Sequence, residues 1–183
     1  MKNNQTLRII TGKYKSIRIS APAHLQVRPT TDMAKSGLFN ILENYFSFEN
    51  MKVLDLFCGT GNISYEFSSR GCMDIESVDS NRNCIQFINN QLKSLSFTGI
   101  KTFCLDSIRF LEKQAGEYDL IFADPPFEMK PLTKLLSIIF DNGKLKKNGW
   151  FIYEHSDRDD YSTLPFFVQK RIYGSVAFSM FKK

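Results

Sequence analysis

The sequence contains few residues that could ligate a metal or form a redox centre. Its only histidines are His24 and His155, and its four cysteines lie 12 to 20 residues apart with no Cys-x-x-Cys pair. Zinc sites and thiol redox motifs require closely spaced ligands of these types. We therefore expect no metal and predict that the cysteines are reduced, mostly buried thiols.

Long apolar runs are also missing. No stretch approaches the about 20 residues that span a bilayer, and the first residues, Met1 to Gln5, lack the apolar region of a signal peptide. We expect a cytoplasmic protein with no membrane partner. At 183 residues and 43% hydrophobic composition, the chain is long enough to bury the core of one domain.

Acidic residues are scarce in the N-terminal segment. Residues 1–35 hold seven basic side chains and one acid, a net charge of +6, whereas the whole chain carries +5, so the other 148 residues sum to −1. Phosphate contacts from basic side chains supply most non-specific affinity for nucleic acid. The asymmetry favours contact with a polyanion, with a solvated basic tail as the alternative.

The same segment predicts a small appendage and the start of a helix. The β-prone runs 7–10 and 16–20 flank a turn, which is typical of a hairpin with basic and aromatic side chains. Residues 21–28 form a connector, and Pro29-Thr30-Thr31-Asp32 begins a helix with a hydroxyl cap and an early acid. We predict two parts, the hairpin and connector over 1–28 and the main domain over 29–183.

From Lys52 onward, strand and helix patterns alternate, which indicates a parallel sheet with helices on both faces. Two β-rich runs divided by Gly174 then predict an antiparallel closing pair. The fold class is therefore α/β, with a Rossmann-like, mostly parallel seven-stranded sheet. The predicted strands are 52–57, 75–79, 101–105, 119–123, 150–154, 166–173 and 175–181, and the predicted helices are about 62–70, 81–97, 107–115 and 129–146.

A glycine turn follows the first strand of this sheet. Gly59 and Gly61 allow the backbone to approach a ligand closely. A dinucleotide site needs a third glycine where this chain has Ser64, and Asp55 would repel a pyrophosphate. An acid beside the turn suits a ligand with sulfonium and ammonium groups, such as S-adenosylmethionine.

Four acids close successive predicted strands and should share one sheet edge: Asp55, Asp79, Asp106 and Asp124. Asp79 is expected to accept the ribose hydroxyls, and Asp106 with Ser107 to meet the adenine amino group. Helix capping is the alternative for Asp79 and Asp106. Because the four acids surround a glycine turn, a ligand-binding edge is favoured over coincidence.

The last of these acids begins Asp124-Pro125-Pro126-Phe127. The prolines hold Asp124 and the neighbouring carbonyls as rigid acceptors, and Phe127 places a ring beside them. These groups could grip a flat, amino-bearing group such as a nucleobase. A structural turn, with Phe127 packed beneath it, is the alternative.

Several motifs resemble those of one known family. They are Arg8-Ile9-Ile10-x-Gly12-Lys13-Tyr14-Lys15, Arg28-Pro29-Thr30-Thr31-Asp32, Leu38-Phe39-Asn40-Ile41-Leu42, the cofactor loop from Leu54 to Gly61, and Tyr173-Gly174-Ser175. Together they resemble the RsmD family of class I S-adenosylmethionine-dependent methyltransferases, and Asp-Pro-Pro-Phe resembles the [DN]-P-P-[YF] motif of enzymes that methylate planar nitrogens. Thr11, Ser16 and residues 33–37 depart from the family pattern.

The resemblance implies methylation of the exocyclic N2 of a guanine in bacterial small-subunit (16S) ribosomal RNA, free or in an assembling subunit. It implies catalytic roles for Asp124, Pro125, Pro126 and Phe127. The residues expected to bind RNA are Arg8, Lys13, Tyr14, Lys15, Arg18 and Arg28. Tyr14 could stack on a base, but ordinary packing is favoured for this residue. Other hypotheses are an adenine-N6 methyltransferase on DNA or RNA, a non-catalytic RNA-binding factor, and a nucleotide-dependent dehydrogenase.

Overall fold

The N-terminal part of the chain forms a hairpin and a helix. The computed structural model describes residues 5–25 and 30–182. The first elements are strand β1 (Gln5–Arg8), strand β2 (Arg18–Ala21), a 3-10 turn (Ala23–Leu25), helix α1 (Asp32–Leu42) and a second 3-10 turn (Phe48–Asn50). The Thr31 hydroxyl accepts from the Ala34 amide and caps α1, as the sequence predicts.

The main body alternates strands and helices. Its elements are β3 (Lys52–Leu56), α2 (Asn62–Ser69), β4 (Asp74–Asp79), α3 (Arg82–Ser94), β5 (Ile100–Cys104), α4 (Ser107–Lys113), β6 (Tyr118–Ala123), α5 (Leu132–Leu136), β7 (Leu145–Ser156), β8 (Phe167–Tyr173) and β9 (Val176–Lys182). The seven main strands lie in the order β5-β4-β3-β6-β7-β9-β8, and β1 pairs only with β2. Strands β3 to β7 run parallel and the β9–β8 pair is antiparallel, which confirms the predicted fold class.

The helix predicted over 129–146 is wrong in length. Helix α5 is followed by one π-helical turn, Ser137–Asp141, and Gly143 then takes a left-handed φ of 61° that ends it. Strand β7 begins at Leu145, opposite Tyr118 of β6, five residues earlier than the sequence predicts. The long-range pairing with β6 therefore overrides the local helical pattern of these residues.

The sheet separates two hydrophobic cores. One core packs α1 and α2 against side chains such as Val53, Phe122 and Ile152, and the other packs α4 and α5 against Leu56, Ala123 and neighbouring residues. Alternate residues of each strand thus face opposite cores, as expected for a parallel sheet covered on both faces. The carboxyl ends of five strands remain at one edge, where this fold class holds ligands.

The hairpin docks on α2 and α3 through a third hydrophobic cluster. Its backbone amides are bound by α2 side chains and carbonyls: Ile10 and Thr11 donate to the carboxylate of Glu66 at 2.9 and 3.1 Å. Gly12 has a φ of 88°, and a Cβ there would lie 1.8 Å from the Ser69 carbonyl oxygen, so the turn requires glycine. The hairpin is therefore held against the main body by buried contacts.

Candidate active site

A cavity of about 720 Å³ opens at the carboxyl ends of the parallel strands. All four acids that the sequence places at strand ends line it, as do the Asp-Pro-Pro-Phe segment and Gly59 of the glycine turn, whereas Gly61 packs against Tyr65 and Ile88. Residues from α1's start and from β7 complete the wall. The four acids predicted at the sheet edge therefore surround a single cavity.

The glycine turn between β3 and α2 depends on left-handed backbone. Phe57, Gly59 and Gly61 have φ angles of 58°, 51° and 84°. A Cβ on Gly61 would lie 3.0 Å from Tyr65 and 3.1 Å from Ile88, so the close helix packing also requires glycine. Phe57 is not a glycine, and such strained backbone is typical of functional sites.

Asp79 binds the glycine turn directly. One carboxylate oxygen accepts from the Gly59 amide at 2.9 Å and the other from the Asn81 amide at 2.8 Å. Asn81 itself caps α3 by accepting from Asn83. Because each carboxylate oxygen has a second acceptor site, these contacts are compatible with the predicted ribose role, which stays a prediction.

Asp106 and Ser107 connect the start of α4 to the turn. Asp106 caps the helix by accepting from the Arg109 amide at 2.9 Å, so the capping alternative is seen. The Phe57 amide donates to the Ser107 hydroxyl oxygen at 3.0 Å. Ser107 therefore supports the turn, and contact of either residue with an adenine stays a prediction.

Asp55 is buried more deeply than is expected of an acid that offers its negative charge to a cationic ligand. It is 1% exposed, and the Ser64 hydroxyl donates to its carboxylate at 2.5 Å. Burial raises the pKa of Asp55 to about 7, with a smaller contribution from the nearby Asp79 charge. The raised pKa favours the protonated carboxyl, so near neutral pH Asp55 offers less negative charge than an exposed aspartate would.

The Asp-Pro-Pro-Phe segment carries the chain away from the sheet. The Asp124 amide still donates to the Leu56 carbonyl at 3.3 Å, which extends the β3–β6 ladder by one residue. Pro125 is buried, Pro126 is exposed, and a turn closes where Met129 donates to the Pro126 carbonyl at 2.8 Å. Phe127 is half-buried and packs on the core while also lining the cavity, so its packing role is seen and its stacking on a base stays a prediction.

Glu154 is a cavity residue that the sequence analysis missed. It is 3% exposed, and the Thr30 hydroxyl donates to its carboxylate at 2.7 Å. The predicted strand 150–154 ends in this acid, so extending the series of strand-end acids by one strand would have found it. Its partner Thr30 is 124 residues away in sequence, a contact that no local pattern predicts.

The predicted RNA-binding residues divide into exposed and buried ones. Lys13, Lys15 and Arg18 are exposed, and Arg8 is half-exposed with its guanidinium 3.8 Å from Asp32. Arg28 lies outside the described residues.

Tyr14, which is grouped with the RNA-binding residues, takes the packed position that the sequence analysis favours for it, because its side chain is 7% exposed. Its ring lies 4.3 Å from that of Phe97, and its hydroxyl donates to the Ser96 carbonyl. Ordinary packing therefore accounts for Tyr14, and the ring is not presented to a base.

Lys35 also differs from a surface cation. It is 1% exposed, and its ammonium donates to the Arg8 carbonyl at 2.6 Å and to the Asn62 amide oxygen at 2.7 Å. It lies 3.5 Å from Glu66, and burial lowers its pKa while that carboxylate opposes the shift. Lys35 therefore joins the hairpin to the helices behind the cavity.

Within residues 5–25 and 30–182, no helix has the length and apolarity to cross a bilayer, and no three side chains of the types His, Cys, Asp and Glu cluster as a metal site would require.

Solved structures share this fold. The chain superposes on a putative methyltransferase, yhhF, from Escherichia coli with a TM-score of 0.84 at 24% identity, covering 98% of each chain. It also matches a Thermus thermophilus 16S rRNA N2 G1207 methyltransferase in complex with AdoMet and guanosine, with a TM-score of 0.73 at 16% identity over 99% of this chain and 50% of that one. The fold is that of the class I S-adenosylmethionine-dependent methyltransferases.

Sequence relatives identify the family within that class. A family model described as conserved hypothetical protein 95 matches residues 7–182. The chain is 33% identical to a putative rRNA methyltransferase, YlbH, of Bacillus subtilis, over 97% of this chain and 99% of the relative. It is 31% identical to a ribosomal RNA small subunit methyltransferase D of Buchnera aphidicola, over 83% of this chain and 77% of that relative. The chain belongs to the RsmD-like family.

Proposed function

We propose that this protein transfers a methyl group from S-adenosylmethionine to the exocyclic N2 of a guanine in bacterial small-subunit (16S) ribosomal RNA, in the cytoplasm. The observation that carries the proposal is that Asp124-Pro125-Pro126-Phe127 lines the same cavity as Gly59 and Thr60 of the glycine turn. Family relatives named as small-subunit rRNA methyltransferases support the RNA as substrate. We propose further that the RNA is met within an assembling subunit.

The residues present fit S-adenosylmethionine. Asp79 stands between the glycine turn and α3 with its carboxylate already ordered, as a group that accepts two ribose hydroxyls must be. The left-handed turn at Gly59 and Gly61 allows the backbone to meet a ligand closely. When bound, the cofactor supplies an electrophilic methyl on a sulfonium. The described residues of the wall include carboxyl side chains and no basic one, which is compatible with such a cation.

Asp124 has the main chemical role in this proposal. The lone pair of a guanine amino nitrogen is delocalised into the ring, so the nitrogen is a poor nucleophile until acceptors hold its hydrogens in pyramidal geometry. The Asp124 carboxylate and the Pro125 carbonyl would accept these hydrogens. As positive charge develops on nitrogen, a fixed carboxylate stabilises it without reorganising. A strong base is unnecessary, because the methylated ammonium loses its proton readily.

Positioning provides much of the remaining rate. Aligned groups have effective molarities worth about 7–11 kcal/mol. Phe127 would stack on the target base, and base–aromatic stacking is worth roughly 1–3 kcal/mol. Because a base inside a duplex cannot reach this cavity, the guanine must be extruded or lie in a loop.

The basic hairpin would bind the flanking phosphates. Its turn contacts Ser69 at the end of α2, whereas the glycine loop precedes Asn62 at the other end of the helix. Eight helical residues rise about 12 Å, so Lys13 and Lys15 would reach RNA some nucleotides away from the target base. Arg8 and Arg18 face each other at the loop end of the two strands. The Arg8 carbonyl shares the Lys35 ammonium with Asn62, which lines the cavity, so this pair lies nearer to the cavity.

An adenine-N6 methyltransferase is the second candidate, because Asp124 would perform nearly the same chemistry on adenine. The test is to incubate the purified protein with labelled cofactor and separate pools of small-subunit RNA, large-subunit RNA and DNA. Mass spectrometry of the digested product should identify N2-methylguanosine in the small-subunit RNA alone. N6-methyladenosine in any pool would support the second candidate, and cofactor binding without transfer would support a non-catalytic factor.

A further inference from the structure

The cavity wall beside Asp124 contains a second carboxylate at the same height of the sheet. Four residues on adjacent strands pair side by side across the sheet: Val78, Leu56, Ala123 and Tyr153. One residue further toward the carboxyl ends stand Asp124 on β6 and Glu154 on β7. Adjacent strands lie about 4.8 Å apart, so the two backbones are direct neighbours.

Strand alternation puts the two acids on one face. Phe122 and Ile152 belong to the core that packs α1 and α2, whereas Ala123 and Tyr153 belong to the opposite core. Residues 124 and 154 follow these pairs and therefore return to the α1 side. Both line the cavity, as does Asp55 on the same face.

Glu154 is held in place by the start of α1. The Thr30 hydroxyl donates to one of its oxygens at 2.7 Å, and the Asn62 amide donates to the Thr30 carbonyl at 2.9 Å. This buried chain of hydrogen bonds fixes the rotamer of a side chain that is 3% exposed. A carboxylate fixed in this way on a cavity wall can also accept from a ligand, because each of its oxygens has more than one acceptor site.

Guanine and adenine differ at the ring position next to their amino group. In guanine the ring nitrogen N1 carries a hydrogen beside the N2 amino group, so that edge consists of donors. In adenine the ring nitrogen beside the N6 amino group is an acceptor. Two neighbouring carboxylates are complementary to the first edge and repel the lone pair of the second.

We propose that Glu154 selects guanine, accepting a hydrogen bond from N1–H while Asp124 accepts from the adjacent amino group. The inference rests on the proposed function. It assigns the choice of base, which Asp-Pro-Pro-Phe alone does not determine, to Glu154. Glu154 is a specificity-determining residue in this account, and Thr30 is a positioning residue that acts through it.

The first test uses the wild-type protein and a chemically altered RNA. The target guanine is replaced by 2-aminopurine, which keeps the C2 amino group but has an unprotonated N1 and lacks O6. The rate of methyl transfer to 2-aminopurine should be at least about tenfold lower than to guanine, because a buried acceptor then faces a lone pair. Equal rates on the two bases would overturn the role of Glu154.

The second test separates the effect of the missing N1 hydrogen from that of the missing O6. In Glu154→Gln the side-chain amide can donate to an unprotonated N1, so the preference for guanine over 2-aminopurine should fall by about tenfold. Glu117→Gln, the same substitution at the opposite end of β6, should keep the wild-type preference. Cofactor affinity measured by calorimetry should change less than about threefold in either variant. A general distortion of the cavity would instead weaken cofactor binding along with the change in base preference.

The contrary outcomes are distinct. An unchanged preference in folded Glu154→Gln overturns the inference, and so does a loss of cofactor affinity with unchanged preference, which would assign Glu154 to the cofactor. If this variant unfolds, as seen by thermal melting, the wild-type comparison remains, in which equal rates on guanine and 2-aminopurine overturn the inference. Wild-type protein that methylates no guanine would instead refute the proposed function, from which the inference follows.

Discussion

Asp124 is the residue whose chemistry the proposed reaction needs most. Its backbone extends the β3–β6 ladder by one hydrogen bond, while its side chain borders the cavity. Charge that develops only in the transition state is stabilised by such a group without a matching gain in ground-state binding. Loss of the carboxylate should therefore affect turnover far more than cofactor affinity.

We expect Asp124→Ala to lower methyl transfer at least about 100-fold, the usual cost of losing one preorganised electrostatic group. Cofactor affinity by calorimetry should fall less than about threefold. Asp141→Ala, an exposed acid on the π-helical turn, is the control and should retain full activity. Full activity of Asp124→Ala would remove this residue from the mechanism.

Asp55 makes stability depend on pH. Its pKa of about 7 in the folded protein lies above the ordinary 3.8, so folding favours the protonated form. The stability from this preference is present below pH 3.8 and is lost as pH rises through 7. The ionised form is disfavoured by at most about 4 kcal/mol.

Asp55→Asn cannot ionise and should therefore gain stability relative to the wild type as pH increases from 5 to 8. The measurement is the free energy of unfolding in urea at several pH values. A difference between the two proteins that stays constant over this range would show that Asp55 does not titrate near 7.

At the level of elements, the docking of the hairpin depends on one buried acid. Glu66 of α2 accepts two hairpin amides, lies 3.5 Å from the Lys35 ammonium and pairs with Arg70. Removing one charge from a buried network leaves the other charges uncompensated. The hairpin should therefore loosen before the sheet does when this acid is changed.

Glu66→Gln should lower the free energy of unfolding by about 3–5 kcal/mol. Glu43 pairs with the same Arg70 from an exposed position, so Glu43→Gln should cost at most about 1 kcal/mol. Hydrogen exchange of the Ile10 and Thr11 amides should accelerate in the first variant only. Equal losses in the two variants would contradict the role of burial.

The hairpin's exposed cations should determine how RNA binding responds to salt. Neutralising Lys13, Lys15 and Arg18 to Gln should weaken binding at low salt and reduce the slope of log K against log salt by about 2, since each lost contact with a single strand removes about 0.7. Three exposed lysines elsewhere, Lys93, Lys101 and Lys113, provide the control. An unchanged slope in the hairpin variant would show that other residues bind the phosphates.

At the scale of the whole molecule, the sequence predicts what depends on local patterns. The strand ends at Asp55, Asp79 and Asp124 and the glycine turn follow from short runs of residues, and these patterns place the acids at one edge. The pairing of Glu154 with Thr30 and of Lys35 with Glu66 joins residues distant in sequence, so no period or motif reveals it. Buried polar contacts of this kind depend on the assembled fold.

The basic segment illustrates the same limit. Charge counting treats Lys35 and Lys13 alike, but the fold buries one and exposes the other. For Tyr14 the sequence favours ordinary packing but does not reveal its partner, Phe97, which the docking of the hairpin brings against its ring. The sequence thus identifies the cavity's acids better than it identifies the surface that meets RNA.

The most direct test of the proposed function is a mass-spectrometric map of small-subunit ribosomal RNA from cells that lack this protein. We predict that one N2-methylguanosine is absent from this RNA, returns with the wild-type protein and does not return with Asp124→Ala. An unchanged map, or the loss of a methylated adenine instead, would contradict the account.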